Sequence, residues 1–129
     1  MTKRVVPMIF VPDVRETIAW YEAVGFTLVG THHDEDDEVI DWASLSYGDT
    51  HIMLSGGGRS SSEYRREMDL YIYTDDVDSL YERLKDTIEV HQAPQDTFYG
   101  TREFIARDNN RFWVTFGQQL HNSQTPEGE

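Results

Sequence analysis

Val11-Pro12-Asp13-Val14 and Thr74-Asp75-Asp76-Val77 decide the fold: each follows an apolar, strand-like run and opens a helical stretch, and Asp76 comes 63 residues after Asp13. The echo continues downstream. Residues 42–55 read as strand, Gly48-Asp49 turn, strand; residues 101–116 read as strand, Asn109-Asn110 turn, strand, with Thr115 lying 62 residues after Met53. A repeat of this period sets the architecture before any single residue is interpreted.

Working outward, residues 4–10 are β-branched and apolar, and Pro7 marks them as an edge strand or one entering from outside, since proline cannot donate to a ladder. Asp13 caps a helix over residues 14–24, with Glu16 at the capping-box position, Gly25 at its end and Val14, Ile18, Tyr21 and Val24 as its buried stripe. Residues 26–31 form the next strand, and residues 40–47 and 50–55 a hairpin. Gly56-Gly57-Gly58-Arg59-Ser60-Ser61-Ser62-Glu63 has linker composition. The second copy gives a strand over 68–74, an Asp76 cap, a helix over 77–85, a short strand over 89–91, a loop holding Pro94 and Gly100, and a hairpin of 102–107 with 112–117. The expected fold is α+β, two tandem βαβββ modules forming a cupped mixed sheet with the helices outside. One domain is expected over residues 1–118, with module one at 4–55, the linker at 56–67, module two at 68–118 and a polar tail at 119–129.

Composition narrows the partners. At 129 residues and 38% hydrophobic content the chain is long enough for one real core, and its apolar runs are too short to span a membrane. The N-terminus lacks the apolar stretch of a signal peptide, so a cytoplasmic location is the default. No cysteine is present, which excludes disulfides, thiolate metal sites and a cysteine nucleophile. A net charge of −13 disfavours nucleic acid and anionic membranes and favours neutral or cationic partners. Much of the acid lies in Asp34-Glu35-Asp36-Asp37-Glu38, which reads as a solvated loop and has none of the ligand spacing of a calcium loop.

Strand periodicity assigns the faces. Val6, Met8 and Phe10 share one, as do His51 and Met53, then Asp69, Tyr71 and Tyr73, then Trp113 and Thr115. Such a surface is apolar and aromatic with few polar groups, the usual make-up of a small-molecule pocket. Trp42, Phe98, Tyr99 and Phe112 add further rings able to stack on a planar or cationic ligand or to pack a core.

The order and spacing of these segments resemble the vicinal oxygen chelate superfamily of glyoxalases, bleomycin resistance proteins and extradiol dioxygenases. Pro7-Met8-Ile9-Phe10-Val11-Pro12-Asp13-Val14, Ala19-Trp20-Tyr21 and Gly25-Phe26 look like its opening strand and helix. Tyr99-Gly100-Thr101-Arg102-Glu103-Phe104 with Arg107-Asp108 looks like the segment before its last hairpin, most of all in the bleomycin resistance branch, although Asn109-Asn110-Arg111 replaces the usual Pro-x-Gly turn. The resemblance implies a divalent cation held from the first and last strands of each half, at positions that fall on Val6, Asp69, Met53 and Thr115. Valine cannot coordinate and a thioether suits a hard cation poorly, so the family metal site looks dismantled.

The expected function is therefore metal-independent binding and sequestration of a cationic or aromatic small molecule, as in antibiotic resistance, by a homodimer without cofactor. The expected ligand-binding residues are Met8, Phe10, Trp42, His51, Met53 and Asp69 in chain order, followed by Tyr71, Phe98, Tyr99, Arg102, Trp113 and Thr115. No catalytic residue is expected. The alternative is a lyase, isomerase or dioxygenase of the same superfamily, using a displaced metal site of His51, Asp69 and Glu103 or using Asp69, desolvated in an apolar surface, as general base. His32-His33 beside the acids could bind a metal adventitiously, but adjacent residues of an extended chain point to opposite faces, and His91 and His121 have no partner at ligand spacing.

Overall fold

The computed structural model describes residues 4–33, 39–58 and 68–120. The acidic stretch at 34–38, most of the linker and the tail with His121 lie outside the described residues. The chain divides into two units, Met1–Glu63 and Tyr64–Glu129. The first runs β1 (Met8–Phe10), α1 (Val14–Val24), β2 (Thr27–His33), β3 (Ile40–Tyr47) and β4 (Thr50–Ser55), with sheet order β1-β4-β3-β2. The second runs β5 (Leu70–Tyr73), α2 (Val77–Leu84), β6 (Glu89–Asp96), β7 (Thr101–Arg107) and β8 (Trp113–Gln119), with order β5-β8-β7-β6. Both sheets are mixed: β1 lies parallel to β4 and β5 to β8, while the other neighbours are antiparallel. The α+β reading with two tandem βαβββ modules holds, as two four-stranded mixed sheets. No helix among the described residues is long and apolar enough to cross a membrane.

The two aspartates of the opening motif act as helix caps. Asp13, in extended backbone, accepts the Glu16 N–H at 3.0 Å, and Asp76 accepts the Ser79 N–H at 3.1 Å and its hydroxyl at 2.8 Å. These Ser79 bonds hold the Asp76 carboxyl below the usual carboxylate range, the backbone bond first. Gly25 ends α1 with φ +128, where its N–H and that of Phe26 return to Tyr21 O. The buried stripe of α1, Val14, Thr17, Ile18, Tyr21 and Val24, meets Ile9, Ala43, Leu45, Ile52 and Leu54 from one sheet face. Tyr21 is fully buried, edge-on to Phe26 at 5.2 Å. In the second unit Phe104 stacks on Phe116 at 4.8 Å and takes the Tyr81 ring of α2 edge-on at 5.4 Å.

Backbone hydrogen bonding accounts for three of the departures from the sequence reading. Strand β6 reaches Asp96 and includes Pro94, which a loop was expected to hold; it is an edge strand with irregular register between Val90 and Gln95, so a missing N–H costs no ladder bond. Strand β1 begins at Met8, because Pro7 only accepts, from Met53 N at 2.9 Å. Gly56 to Gly58, expected as linker, continue past β4 bonded to its two neighbours: Gly56 N donates to Asp41 O of β3 at 3.0 Å and Gly58 N to Val11 O, just after β1, at 3.1 Å. At Gly58 any Cβ would collide with the Phe10 and Val11 backbone.

The turn between β7 and β8 is organised by Asp108, whose buried Oδ1 accepts the N–H groups of Asn110 at 2.7 Å and Phe112 at 2.9 Å, while Arg111 takes a positive φ of 70°. Asp108→Ala leaves both N–H groups inside without this acceptor. The expected loss is about 3 kcal/mol, read as a lower midpoint of urea unfolding at unchanged slope; an unshifted midpoint would refute this role for Asp108.

Candidate ligand site

Pairing register assigns each strand residue to a face. In the first unit Met8 lies opposite Met53, which lies opposite Ser44, and Phe10 opposite Ser55, which lies opposite Trp42. Met8, Phe10, Trp42, His51 and Met53 therefore share the face turned away from α1, where alternation placed all but Trp42. Met8 and Phe10 are exposed there. Trp42 also borders an open hollow of about 530 Å³ with Pro12, Val39, Ile40, Asp41, Ser55, Gly56 and Gly57. His51 receives the Arg4 guanidinium on Nδ1 at 3.1 Å, and a cation on one ring nitrogen opposes a metal ion on the other.

In the second unit Tyr71 lies opposite Thr115 and Ile105 beyond it, and Glu103 lies opposite Gly117, so these residues and Trp113 face away from α2. Here the structure builds a site. Glu103 is only 4% exposed, and its Oε2 accepts three hydroxyls: Tyr71 at 2.5 Å, Tyr99 at 2.8 Å and Thr101 at 3.0 Å. Tyr71 reaches it from β5 across the whole width of β8. That reach depends on Gly117, where an added Cβ would overlap the Tyr71 hydroxyl and ring, with Tyr71 Cζ at 2.7 Å. Burial first, and then the bond to Glu103, push the Tyr71 hydroxyl well above the usual tyrosine range; the Glu103 bond first, and then burial, raise Tyr99. Among the described residues no donor meets Glu103 Oε1, and no Lys, Arg or His forms an ion pair with this carboxylate. Nor is Oε1 among the sealed, unpartnered atoms of the described residues.

Other expected residues lie elsewhere. Arg102 is on the α2 side of β7, its Nε bonded to both oxygens of Asp78 at 3.1 Å and its Nη1 to Asp96 at 2.9 Å, so strand alternation separates it from Glu103. Asp69 is exposed ahead of β5, without the desolvation that a general base there requires. Phe98 stands 98% exposed in the turn after β6, edge-on to Tyr99 at 5.1 Å. Trp113 carries the Arg107 guanidinium over its ring at 3.9 Å and His91 at its edge at 4.7 Å, so part of its surface is already occupied. His32 bonds Asp41 at 2.8 Å.

A metal ion does not fit the positions to which the resemblance assigns its ligands. Val6, Met53, Asp69 and Thr115 supply one carboxylate and one hydroxyl, and no group of three His, Cys, Asp or Glu among the described residues gathers within either unit. His51 belongs to the first unit, Asp69 and Glu103 to the second. Sequence reasoning missed Thr101 and Gly117 altogether. A glycine inside a strand is a signal of close backbone approach, and Gly117 was read only as the end of a strand.

Burial first, and then the bond to Glu103, make Tyr71 a pH reporter. Its raised ionisation favours the neutral folded form, so this contribution to stability is complete below the ordinary tyrosine value of about 10 and is lost as pH climbs above it. Absorbance titration at 295 nm is expected to show late-titrating tyrosines, of which Tyr71 moves earlier in Gly117→Ala; an unmoved titration would refute the dependence on Gly117.

Three comparisons with known proteins bear on this geometry. The family model described as the Glyoxalase/Bleomycin resistance protein/Dioxygenase superfamily matches residues 4–116. A search of the curated proteins finds no match. Among solved structures, TioX from Micromonospora sp. ML1 superposes with a TM-score of 0.73 at 22% identity, covering 92% of this chain and 100% of its own. A glyoxalase/bleomycin resistance protein/dioxygenase family enzyme from Burkholderia phytofirmans PsJN gives 0.67 at 19%, covering 88% and 95%. The fosfomycin resistance protein FosX from Mesorhizobium loti gives 0.66 at 15%, covering 94% and 96%. At these identities the solved structures speak for the fold alone, and the family rests on the model match. With nearly the whole of both βαβββ modules inside that match, the chain belongs to the Glyoxalase/Bleomycin resistance protein/Dioxygenase superfamily.

Proposed function

We propose that this chain is a metal-independent small-molecule-binding protein of the bleomycin-resistance type, which sequesters a cationic or aromatic ligand and leaves it chemically unchanged. The observation that carries the reading is the make-up of the strand faces turned away from the helices. Where the resemblance puts ion ligands they offer Val6, Met53, Asp69 and Thr115, and beside these stand the exposed side chains of Met8, Phe10, Tyr71 and Tyr73. Exposed rings on a rigid sheet stack on planar ligands and attract cations over their faces. The net charge of −13 raises the local concentration of a cationic ligand and repels an anionic one. Sequestration asks only for affinity, with no group that is complementary to a transition state. The reading includes a homodimer, with β1 at the sheet edge as the exchangeable strand; light scattering at 15.0 kDa, the monomer mass, would refute that part.

Two measurements check the binding reading. Protein purified without chelators is expected to carry far less than one equivalent of Ni, Zn, Fe or Mn, and a stoichiometric metal lost in His51→Ala would overturn the reading. Fluorescence titration with 1-pyrenylmethanol is expected to show saturable binding, weakened about threefold to tenfold by Tyr73→Ala, the share that one aromatic contact supplies. Tyr73 is 60% exposed, so its loss leaves the core intact.

A further inference from the structure

The carboxylate of Glu103 is buried, oriented and only half used. Three hydroxyls from three places in the chain converge on Oε2: Tyr71 from β5, Tyr99 from the turn after β6 and Thr101 from the start of β7. A carboxylate that needed only to be satisfied would share its donors between both oxygens. Here one oxygen is saturated, and Oε1 meets no donor and no cation among the described residues. Removing a carboxylate from water without a counter-charge is costly, and hydroxyl bonds offset only part of that cost. The backbone makes its own concession, because bare Gly117 is what lets Tyr71 cross β8 to hold the carboxylate in place.

We propose that Glu103 Oε1 receives a cationic N–H group of the ligand, an ammonium, amidinium or guanidinium. The Tyr71 ring lies beside it for contact with the ligand's carbon skeleton, and Tyr73, whose ring pairs with Tyr71 at 4.8 Å, extends that surface. A charged N–H on a carboxylate gains more than a neutral one, and more again in a site from which water is largely excluded. Glu103 is then the residue that selects charge, while the rings supply affinity without regard to charge. The three hydroxyl donors are positioning groups: they fix Oε2 and so aim Oε1. This inference rests on the binding function proposed above and names the chemistry of its ligand.

The test compares 1-pyrenylmethylammonium with its neutral counterpart 1-pyrenylmethanol by fluorescence titration. The unaltered protein is expected to prefer the ammonium at least about tenfold, a margin held in 0.5 M salt because the pair is buried and weakly screened. In Glu103→Gln that preference is expected to fall to within about twofold. A preference that survives Glu103→Gln but collapses in salt would assign the selectivity to the surface acids and overturn the inference. Equal affinity for both probes in the unaltered protein would overturn it while leaving the binding function standing; no binding of either would overturn both.

Discussion

Parallel pairing between the first and last strands of each module is the constraint on which the rest depends. Two parallel neighbours cannot be joined by a tight turn, so the chain must leave the sheet and return, and it does so through a capped helix and two antiparallel strands. Once Met8 is opposite Met53 and Tyr71 opposite Thr115, alternation assigns every other residue to the helix side or the open side. The helix side is filled by Leu45, Leu54 and Tyr21 in one unit and by Phe104, Phe116 and Val77 in the other, all essentially without solvent access. The open side is left with rings, thioethers and one buried acid.

That acid changes the character of the second unit. An apolar strand face binds by area and stacking, which discriminate poorly between ligands of similar shape. A carboxylate held by three hydroxyls at one oxygen adds direction and sign. The two modules, alike in topology, differ on this point: His51 in the first already receives Arg4, whereas Glu103 in the second has no positive group against it among the described residues. The repeat has thus kept its scaffold and diverged in what it presents.

Much of the fold was legible because its signals are local. Asp13 and Asp76 announce helix starts, Gly25 a helix end, and the strand faces follow from counting by twos. Boundaries failed where a residue's local preference was overruled by its neighbours in the sheet: Pro94 is tolerated on an edge strand, and Gly56 to Gly58 are pinned by carbonyls of Asp41 and Val11. Of the site, the face shared by Met8, Phe10, His51 and Met53, and that shared by Tyr71 and Thr115, were readable for the same periodic reason. Arg102 was misplaced because its motif suggested a role, while the alternation of β7 turns it to Asp78.

The amino-acid sequence by itself determined the doubled βαβββ order, the helix caps and the excess of negative charge, since these follow from residue type and spacing; the poverty of metal donors is legible only at the positions to which the resemblance assigns them. Only the tertiary structure decided that Tyr71, Tyr99 and Thr101 meet on one oxygen of Glu103. Those residues lie 32, 4 and 2 positions away from it, on different strands and a turn. What joins them is the order β5-β8-β7 together with a glycine at the crossing, and no periodicity along the chain reports which strands become neighbours.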